Sequence, residues 1–200
     1  MSDPVVEYPQ LPEPASYFHG VQLPELNGVA NLLLFLRRRL NSYPQSMPHS
    51  HHRFVLIVAC RGSGTVSVDG QLFDLDAEEG AQALLIYPKQ LHYYLNMPEN
   101  DIWWLYMTFE AADDLPVLRR FARNAPRPVH AEALQTMYKL LGCWLAWHHG
   151  EKHAVHKIAL LANLLLEELA ADGPSGIGDA MSTTVREEKL VWFERLNHII

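Results

Sequence analysis

The feature that most constrains the fold is a strand–turn–strand pattern with a period of two residues. Polar and apolar side chains alternate over residues 65–69, as in a strand with one buried face. Asp69-Gly70 ends this run, and the dipeptide is typical of a tight hairpin turn because glycine adopts a positive φ without steric cost. Residues 73–75 resume the alternation. The sequence therefore predicts an antiparallel hairpin here.

Most of the chain between Val21 and about Phe109 has the same character. Residues 83–87 form a short apolar run, and residues 102–109 are aromatic and β-prone throughout. Residues 30–40 are ambiguous, because their leucines and arginines favour a helix; we interpret them as a strand on the resemblance described below. Several short strands separated by turn signals predict a sandwich or a barrel.

The region after about residue 130 is predicted to be helical. Its apolar residues recur every three or four positions, which places them on one face of each of two helices: Leu134, Met137, Leu141 and Trp144, then Val155, Ile158, Ala162, Leu165 and Leu169. The second helix carries further leucines on other faces, so one barrel cannot cover it. We expect a second copy of the chain to cover the rest, with Leu161, Leu165 and Leu169 at the interface of a homodimer.

Composition excludes several classes of protein. The chain has 200 residues, of which 48% are hydrophobic and 20% charged, as in an ordinary globular protein. No apolar stretch approaches the length of a membrane span, and residues 1–20 do not resemble a secretory signal. Cys60 and Cys143 are the only cysteines, which predicts a reduced, cytoplasmic protein. A net charge of -7 makes this chain a poor binder of nucleic acid by itself.

Three histidines form the most reactive group in the sequence. His49 and His51 are two residues apart, so in a strand they share a face. Together with His92 they would provide three imidazoles for a zinc-type site with one open position. No hydroxyl or thiol lies in a recognisable nucleophile motif. Together with valine instead of a carboxylate at position 55 and the leucine-rich helix pair, which a metal-dependent enzyme would not need, this predicts a protein that is not an enzyme.

The histidine spacing resembles the two motifs of cupin barrels. The first motif is matched by His49, His51 and Gly62, and the second by His92 together with Pro88 and Asn96. The metal-binding glutamate of the first motif corresponds to Val55. Because that carboxylate is absent, we predict that no metal or other cofactor is bound; His49, His51 and His92 would be the ligands if one were.

Longer segments resemble the sensor domain of AraC-family transcription regulators. They share a strand ending in Gly-x-Gly, a hairpin, a turn ending in histidine and an aromatic strand ending in phenylalanine, and they cover residues 54–64, 68–70, 84–94 and 103–109. Residues 134–145 and 154–169 resemble the helix pair of that family, and residues 185–200 resemble the helix that opens its DNA-binding half. The resemblance extends over residues 28–200.

The resemblance implies a mainly β fold: a cupin-like double-stranded β-barrel (jelly roll) followed by an antiparallel helix pair. It implies a small-molecule effector, a homodimer, no membrane, and DNA binding only through a C-terminal domain missing from this chain. The predicted segments are an N-terminal arm (1–20), the barrel (21–125), a helical dimerisation segment (126–172), a linker (173–184) and the start of a truncated DNA-binding domain (185–200).

The resemblance also indicates ligand-binding residues. In the arabinose-responsive member the sugar is stacked and hydrogen-bonded by residues that correspond to Tyr94, Trp104 and Tyr106. The charged residue that holds that sugar corresponds to Met47. We therefore expect either that Arg53 or His51 replaces it, beside His92, and the effector is a sugar or a similar molecule, or that the effector is less polar than a sugar.

Two other functions remain open from the sequence. One is a metal-dependent cupin enzyme, an isomerase or a dioxygenase, that uses the three histidines. The other is a structural dimerisation module whose barrel is filled by its own aromatic side chains.

Overall fold

The computed structural model describes residues 10–23, 28–37, 47–97, 102–111, 115–121 and 124–171. The strands are β1 (Ala30–Arg37), β2 (Phe54–Arg61), β3 (Ser63–Val68), β4 (Gln71–Asp76), β5 (Gln82–Ile86), β6 (His92–Leu95), β7 (Trp103–Glu110) and β8 (Arg127–Pro128). The helices are α1 (Pro116–Arg119), α2 (Ala131–His148) and α3 (Ala154–Ala171). The first half of the predicted arm, the predicted linker and the predicted start of a DNA-binding domain lie outside the described residues.

The strands form two antiparallel sheets. One has five strands in the order β1-β7-β2-β5-β8, and the other has three in the order β4-β3-β6. The predicted hairpin is β3–β4, with Val68 opposite Gln71 across the turn. The fold is therefore mainly β and cupin-like, with C-terminal helices, as the sequence predicted. α1 and β8 are short elements that the sequence analysis did not predict.

The ambiguous leucine-rich segment is a strand in its described part. β1 pairs with β7, and Phe35 lies opposite Tyr106. Leu32, Leu33 and Leu34 are all buried, so both faces of the strand are covered. A strand buried on both faces has a continuous apolar sequence, which is why helix propensity was a poor guide here.

The register of β7 defines an inner and an outer face of the five-stranded sheet. Trp104, Tyr106 and Thr108 lie opposite Ala59, Ile57 and Val55 of β2, so these side chains share one face. That face is the inner one, because the Tyr106 ring lies 5.8 Å from the Tyr94 ring of the three-stranded sheet. Leu105 and Met107 point to the outer face and are also fully buried.

The two long helices pack against each other. Thr136 near the start of α2 donates a hydrogen bond of 3.1 Å to Glu168 near the end of α3, so the helices run antiparallel as predicted. No helix in the described part of the chain is long and apolar enough to cross a membrane.

The exposed leucines of α3 differ from those predicted for a dimer. Leu165 and Leu169 are 0% and 1% exposed, whereas Leu160 and Leu164 are 61% and 46% exposed. Leu165 and Leu169 of the predicted set lie on the face of α3 that packs into the core of its own chain. Leu160 and Leu164 lie on the neighbouring face, which is exposed. A second copy binding to α3 would therefore contact Leu160 and Leu164.

Candidate functional site

The structure brings the three predicted histidines together. His49 and His92 exchange two backbone hydrogen bonds, of 3.1 and 2.9 Å, and their ring centres are 4.4 Å apart. The ring of His51 lies 5.0 Å from that of His92 and 6.2 Å from that of His49. One nitrogen from each ring lies within 4.8 Å of the other two. We call His49, His51 and His92 the histidine triad.

Each imidazole of the triad is oriented by a backbone carbonyl. Nδ1 lies 3.0 Å from the Met47 oxygen in His49, 3.1 Å from the Arg53 oxygen in His51, and 3.0 Å from the Gln90 oxygen in His92. A carbonyl only accepts, so we assign the proton of each ring to Nδ1. The Arg53 amide also approaches Nδ1 of His51, but at 3.4 Å, and the shorter contact decides the tautomer. Nε2 is then the acceptor on all three rings.

The protein keeps two of these rings uncharged at neutral pH. Burial lowers the pKa of His92 to about 4, and burial also lowers the pKa of His51 below its usual value. His52, the fourth histidine of the sequence cluster, is exposed and is not part of the triad. This agrees with the alternation of side chains along an extended segment.

The donor set of the triad fits a divalent ion. Imidazoles that donate through Nδ1 to a carbonyl are oriented to bind a metal through Nε2, and three such ligands leave one position open on a tetrahedral ion. Val55 remains the departure from the cupin motif: it is buried and lies opposite Ile86 and Thr108. The site therefore has three histidine ligands in place but no carboxylate at the position of the motif glutamate.

A row of aromatic rings extends from the triad across both sheets. Tyr94 lies 6.4 Å from His92 and 5.8 Å from Tyr106. Tyr106 stacks on Phe35 at 5.0 Å, and Phe35 meets the edge of Tyr17 at 5.1 Å. The row thus joins β6, β7, β1 and the N-terminal segment. The predicted ligand residues Tyr94 and Tyr106 adjoin the triad along it.

Trp104, the predicted stacking residue, is fully buried on the inner face. A Cβ at Gly64 would lie 3.1 Å from its ring and 2.3 Å from the sulfur of Met97, so a larger residue there would displace the Met97 side chain and press on the indole. The indole N–H of Trp104 has no hydrogen-bond partner among the described residues. A buried donor without a partner is costly unless a ligand or water satisfies it.

Arg37 is a site residue that the sequence analysis missed. It lies at the end of β1, opposite Trp104, and its guanidinium carbon is 5.6 Å from the centre of the Tyr17 ring and 5.5 Å from that of Phe35. Burial raises the pKa of both Tyr94 and Tyr106, and the charge of Arg37 acts in the opposite direction on both. The guanidinium lies beside Phe35, which stacks on Tyr106. Its inward position follows from the β1 register.

Arg53 is another residue that the sequence predicted to bind the ligand. It is buried, and its side chain donates hydrogen bonds to backbone carbonyls. Its guanidinium donates to the carbonyls of Phe18 and Thr108, at 3.1 Å each, and to that of Asn31. It also lies 3.9 Å from the carboxylate of Glu110. These contacts join the N-terminal segment to β1 and β7. Met47, in contrast, is 82% exposed.

Comparison with known proteins identifies the family. The model of the AraC-like ligand binding domain family matches residues 36–175. This range is most of the chain, so the chain belongs to that family. No curated protein matches the sequence.

Several solved structures are similar in fold. A cupin protein from Bacteroides fragilis is 20% identical over 44% of this chain and 70% of that chain, with a TM-score of 0.32. KdgF from Halomonas sp. is 16% identical over 48% of this chain and 98% of that chain, with a TM-score of 0.31. An RmlC-like cupin family protein from Methanocaldococcus jannaschii is 10% identical over 56% of this chain and 98% of that chain, with a TM-score of 0.33.

Proposed function

We propose that this chain is the effector-binding and dimerisation domain of an AraC-type transcription regulator. A small molecule binds inside the fold and controls DNA binding by a helix-turn-helix half of the regulator. Membership of the ligand-binding family supports the sensor role. The observation that supports the position of the site is the aromatic row on the inner face, where the rings of Tyr94 and Tyr106 are 5.8 Å apart and Trp104 shares the face of Tyr106.

The binding chemistry follows from these side chains. The face of Trp104 and the neighbouring apolar strands bind the flat or apolar part of the effector. Tyr94 and Tyr106 are hydrogen-bonded to each other through their hydroxyls. A hydroxyl oxygen has two lone pairs, so either phenol can also accept a hydrogen bond from the ligand. Apolar walls with few convergent polar groups are typical of small-molecule sites.

A thermal-shift screen of sugars, sugar acids and small aromatic acids tests the proposal. A ligand at a hundredfold excess over Kd stabilises the domain by about 2.7 kcal/mol. We expect Trp104→Ala to remove most of that shift, with Trp104→Phe as the milder variant if the first does not fold. Tyr106→Phe should reduce the binding free energy by about 0.5–1.5 kcal/mol, the value of one neutral hydrogen bond.

Tyr138→Phe on α2 is the matched control, because it also removes one phenol hydroxyl but lies outside both sheets. It should leave the ligand shift unchanged. A ligand that shifts the parent and the Trp104 and Tyr106 variants equally binds elsewhere, and the site assignment is then wrong. If no compound shifts the parent, the dimerisation module with a filled barrel is the better description.

The proposed homodimer makes a separate prediction on α3. Leu160 and Leu164 are exposed and one turn apart, so a second copy would bury both. The double variant Leu160→Glu/Leu164→Glu should dissociate the dimer, because a buried interface would then hold unpaired charges, and it should still fold because both positions are exposed. Sedimentation velocity at micromolar concentration measures this. Gln71→Glu, at the exposed start of β4, is the control; a monomeric parent contradicts the prediction.

The histidine triad favours a second candidate, a metal-dependent cupin enzyme. Its three Nε2 atoms are the observation in favour. A bound divalent ion would supply Lewis-acid polarisation of a substrate oxygen at the open position. In that case the triad would only hold the ion, and Tyr94, whose ring lies 6.4 Å from that of His92, would orient the substrate. Turnover of a ligand found in the screen, followed by mass spectrometry, separates the two candidates: a sensor returns its effector unchanged.

A further inference from the structure

We propose that Gln90, Asn124 and Arg127 form a network that couples the turn before His92 to the last turn of α3, so that occupancy of the proposed site changes the stability of that helix end. The inference deepens the proposed function and rests on it. It names a regulatory route from the site to the residues next to the predicted linker (173–184).

The end of α3 is held by a residue from outside the helix. The last carbonyls of a helix have no partner within it, and the last turn of α3 contains no basic residue. Arg127 of β8, which is buried, donates to the carbonyls of Leu169 and Ala170 at 3.4 Å each. A cation at this end also interacts favourably with the helix dipole. The stability of the last turn therefore depends on the position of β8.

Arg127 is itself held by the segment that contains α1 and β8. Its guanidinium donates to the carbonyl of Arg120 at the end of α1, and the guanidinium carbon lies 4.8 Å from the centre of the Phe121 ring. In the sheet, Arg127 lies opposite Ala83 of β5. One buried side chain thus joins the end of α1, the edge of the five-stranded sheet and the end of α3.

The other end of the network is the turn that precedes His92. The side chains of Gln90 and Asn124 exchange two hydrogen bonds, of 3.0 and 2.8 Å, and Asn124 also donates to the Leu85 carbonyl at 2.6 Å. The carbonyl of Gln90 is the acceptor that orients the His92 ring. A ligand that shifts this turn therefore also moves Asn124, which lies three residues before Arg127.

Tyr87 provides a second connection between the same two regions. Its backbone amide donates to the side-chain oxygen of Gln90 at 2.8 Å, and its hydroxyl donates to the carbonyl of Leu118 in α1 at 2.5 Å. The turn before His92 is thus tied to both ends of the segment that positions Arg127.

The contacts at the helix end are weak enough to be exchanged. Both carbonyl contacts of Arg127 are 3.4 Å long, whereas charge-assisted hydrogen bonds are usually about 2.7–2.9 Å long. Nε of Arg127 and Oε2 of Glu168 are buried and have no hydrogen-bond partner among the described residues. A small shift of β8 therefore either shortens the capping contacts or breaks them, which gives the last turn two arrangements, capped and frayed.

Hydrogen exchange of the amides of residues 169–171, followed by NMR, tests the network. Arg127→Gln should speed this exchange about tenfold or more, because the carbonyls lose a charged donor. Asn124→Gly should also speed it, although Asn124 has no contact with α3; its φ is +54°, which glycine adopts without strain. In the double variant, Asn124→Gly should add nothing, because residues of one network have non-additive effects. Exchange in the middle of α2 reports global stability and should change much less.

Two variants are matched controls. Arg120→Gln removes an exposed arginine that pairs with Glu167 of α3 at 3.1 Å, and should speed the exchange about fivefold at most. Asn96→Gly, at an exposed asparagine with a φ of +50°, should leave it unchanged. Additive effects of Asn124→Gly and Arg127→Gln, or an equal rise of exchange in α2, would overturn the inference.

Zn²⁺ at the histidine triad is the probe of occupancy. In the parent it should slow exchange at residues 169–171, and in Asn124→Gly it should bind but no longer slow it. If Zn²⁺ does not bind, or binds the parent without changing these amides, the network does not report the site and the inference is overturned, whereas a ligand found in the thermal-shift screen would still support the sensor function. If the network is coupled but no screened compound binds, the proposed function fails and the network is only structural.

Discussion

Contrary to the prediction from the sequence, the geometry of the histidine triad leads us to expect that the metal-free protein binds one equivalent of Zn²⁺ at pH 7 and that His92→Ala loses that binding. The three Nε2 atoms of the histidine triad are already oriented by their carbonyl contacts. Burial keeps His51 and His92 neutral at this pH, so these two rings need not release a proton to bind the ion. At about a hundredfold excess over Kd, the ion should stabilise the fold by about 2.7 kcal/mol.

Isothermal titration and thermal unfolding with and without a chelator measure both effects. His52→Ala is the matched control, because His52 belongs to the same sequence cluster but is exposed and outside the triad. It should bind the ion as the parent does. If the parent takes up no ion, or if His52→Ala loses binding as fully as His92→Ala, the triad is not a metal site. Such a result would mean that the triad cannot bind a metal ion without a carboxylate at position 55, as the sequence analysis assumed.

The parts of the site that the sequence predicted depend on local periodicity. The i and i+2 spacing of His49 and His51 predicted a shared side of the chain, and the structure brings both rings to His92. The alternation along β7 likewise predicted that Trp104 and Tyr106 share a face. Both predictions use only the two-residue repeat of an extended chain, which is independent of the rest of the fold.

The parts that the sequence did not predict depend on contacts between distant segments. The position of Arg37 beside two aromatic rings follows from the pairing of β1 with β7 and not from the arginine run in which it lies. The face of α3 that holds Leu161 and the face that holds Leu160 differ by a rotation of about 100° around the helix axis. Because α3 is apolar on several faces, its sequence alone does not show which stripe reaches the surface.

Arg53 is the clearest case of a function that only the fold defines. Its three carbonyl partners, Phe18, Asn31 and Thr108, are 35, 22 and 55 residues away in sequence. The sequence analysis interpreted it as a ligand-binding residue that replaces the charged residue corresponding to Met47, and that role remains a prediction. The contacts described here assign it a positioning role for the N-terminal segment.

Arg53→Met is accordingly expected to destabilise the domain by about 3–5 kcal/mol, because three carbonyls lose hydrogen bonds to a charged donor and each such bond contributes about 1.5–3 kcal/mol. The three carbonyls lose their common donor, and the segment around Phe18 loses a tie to β7. Urea denaturation measures the loss of stability, and limited proteolysis within residues 10–23 measures the release of the segment. If Arg53→Met does not fold, Arg53→Lys is used instead, and it should give a smaller loss because an ammonium keeps the charge but not the planar set of donors.

Glu110→Gln separates the carbonyl contacts from the ion pair. The Glu110 side chain is 44% exposed and its contact with Arg53 is 3.9 Å long, so the pair should contribute less than about 1 kcal/mol, and glutamine still offers an oxygen to Asn31. If Glu110→Gln costs as much as Arg53→Met, the ion pair and not the carbonyl network holds the segment. If Arg53→Met lowers the stability but residues 10–23 still resist proteolysis, Arg53 stabilises only the sheet and does not hold the N-terminal segment. Because the Arg53 carbonyl also orients the His51 ring, release of the segment together with weaker Zn²⁺ binding in Arg53→Met would show that one residue positions both the N-terminal segment and the histidine triad.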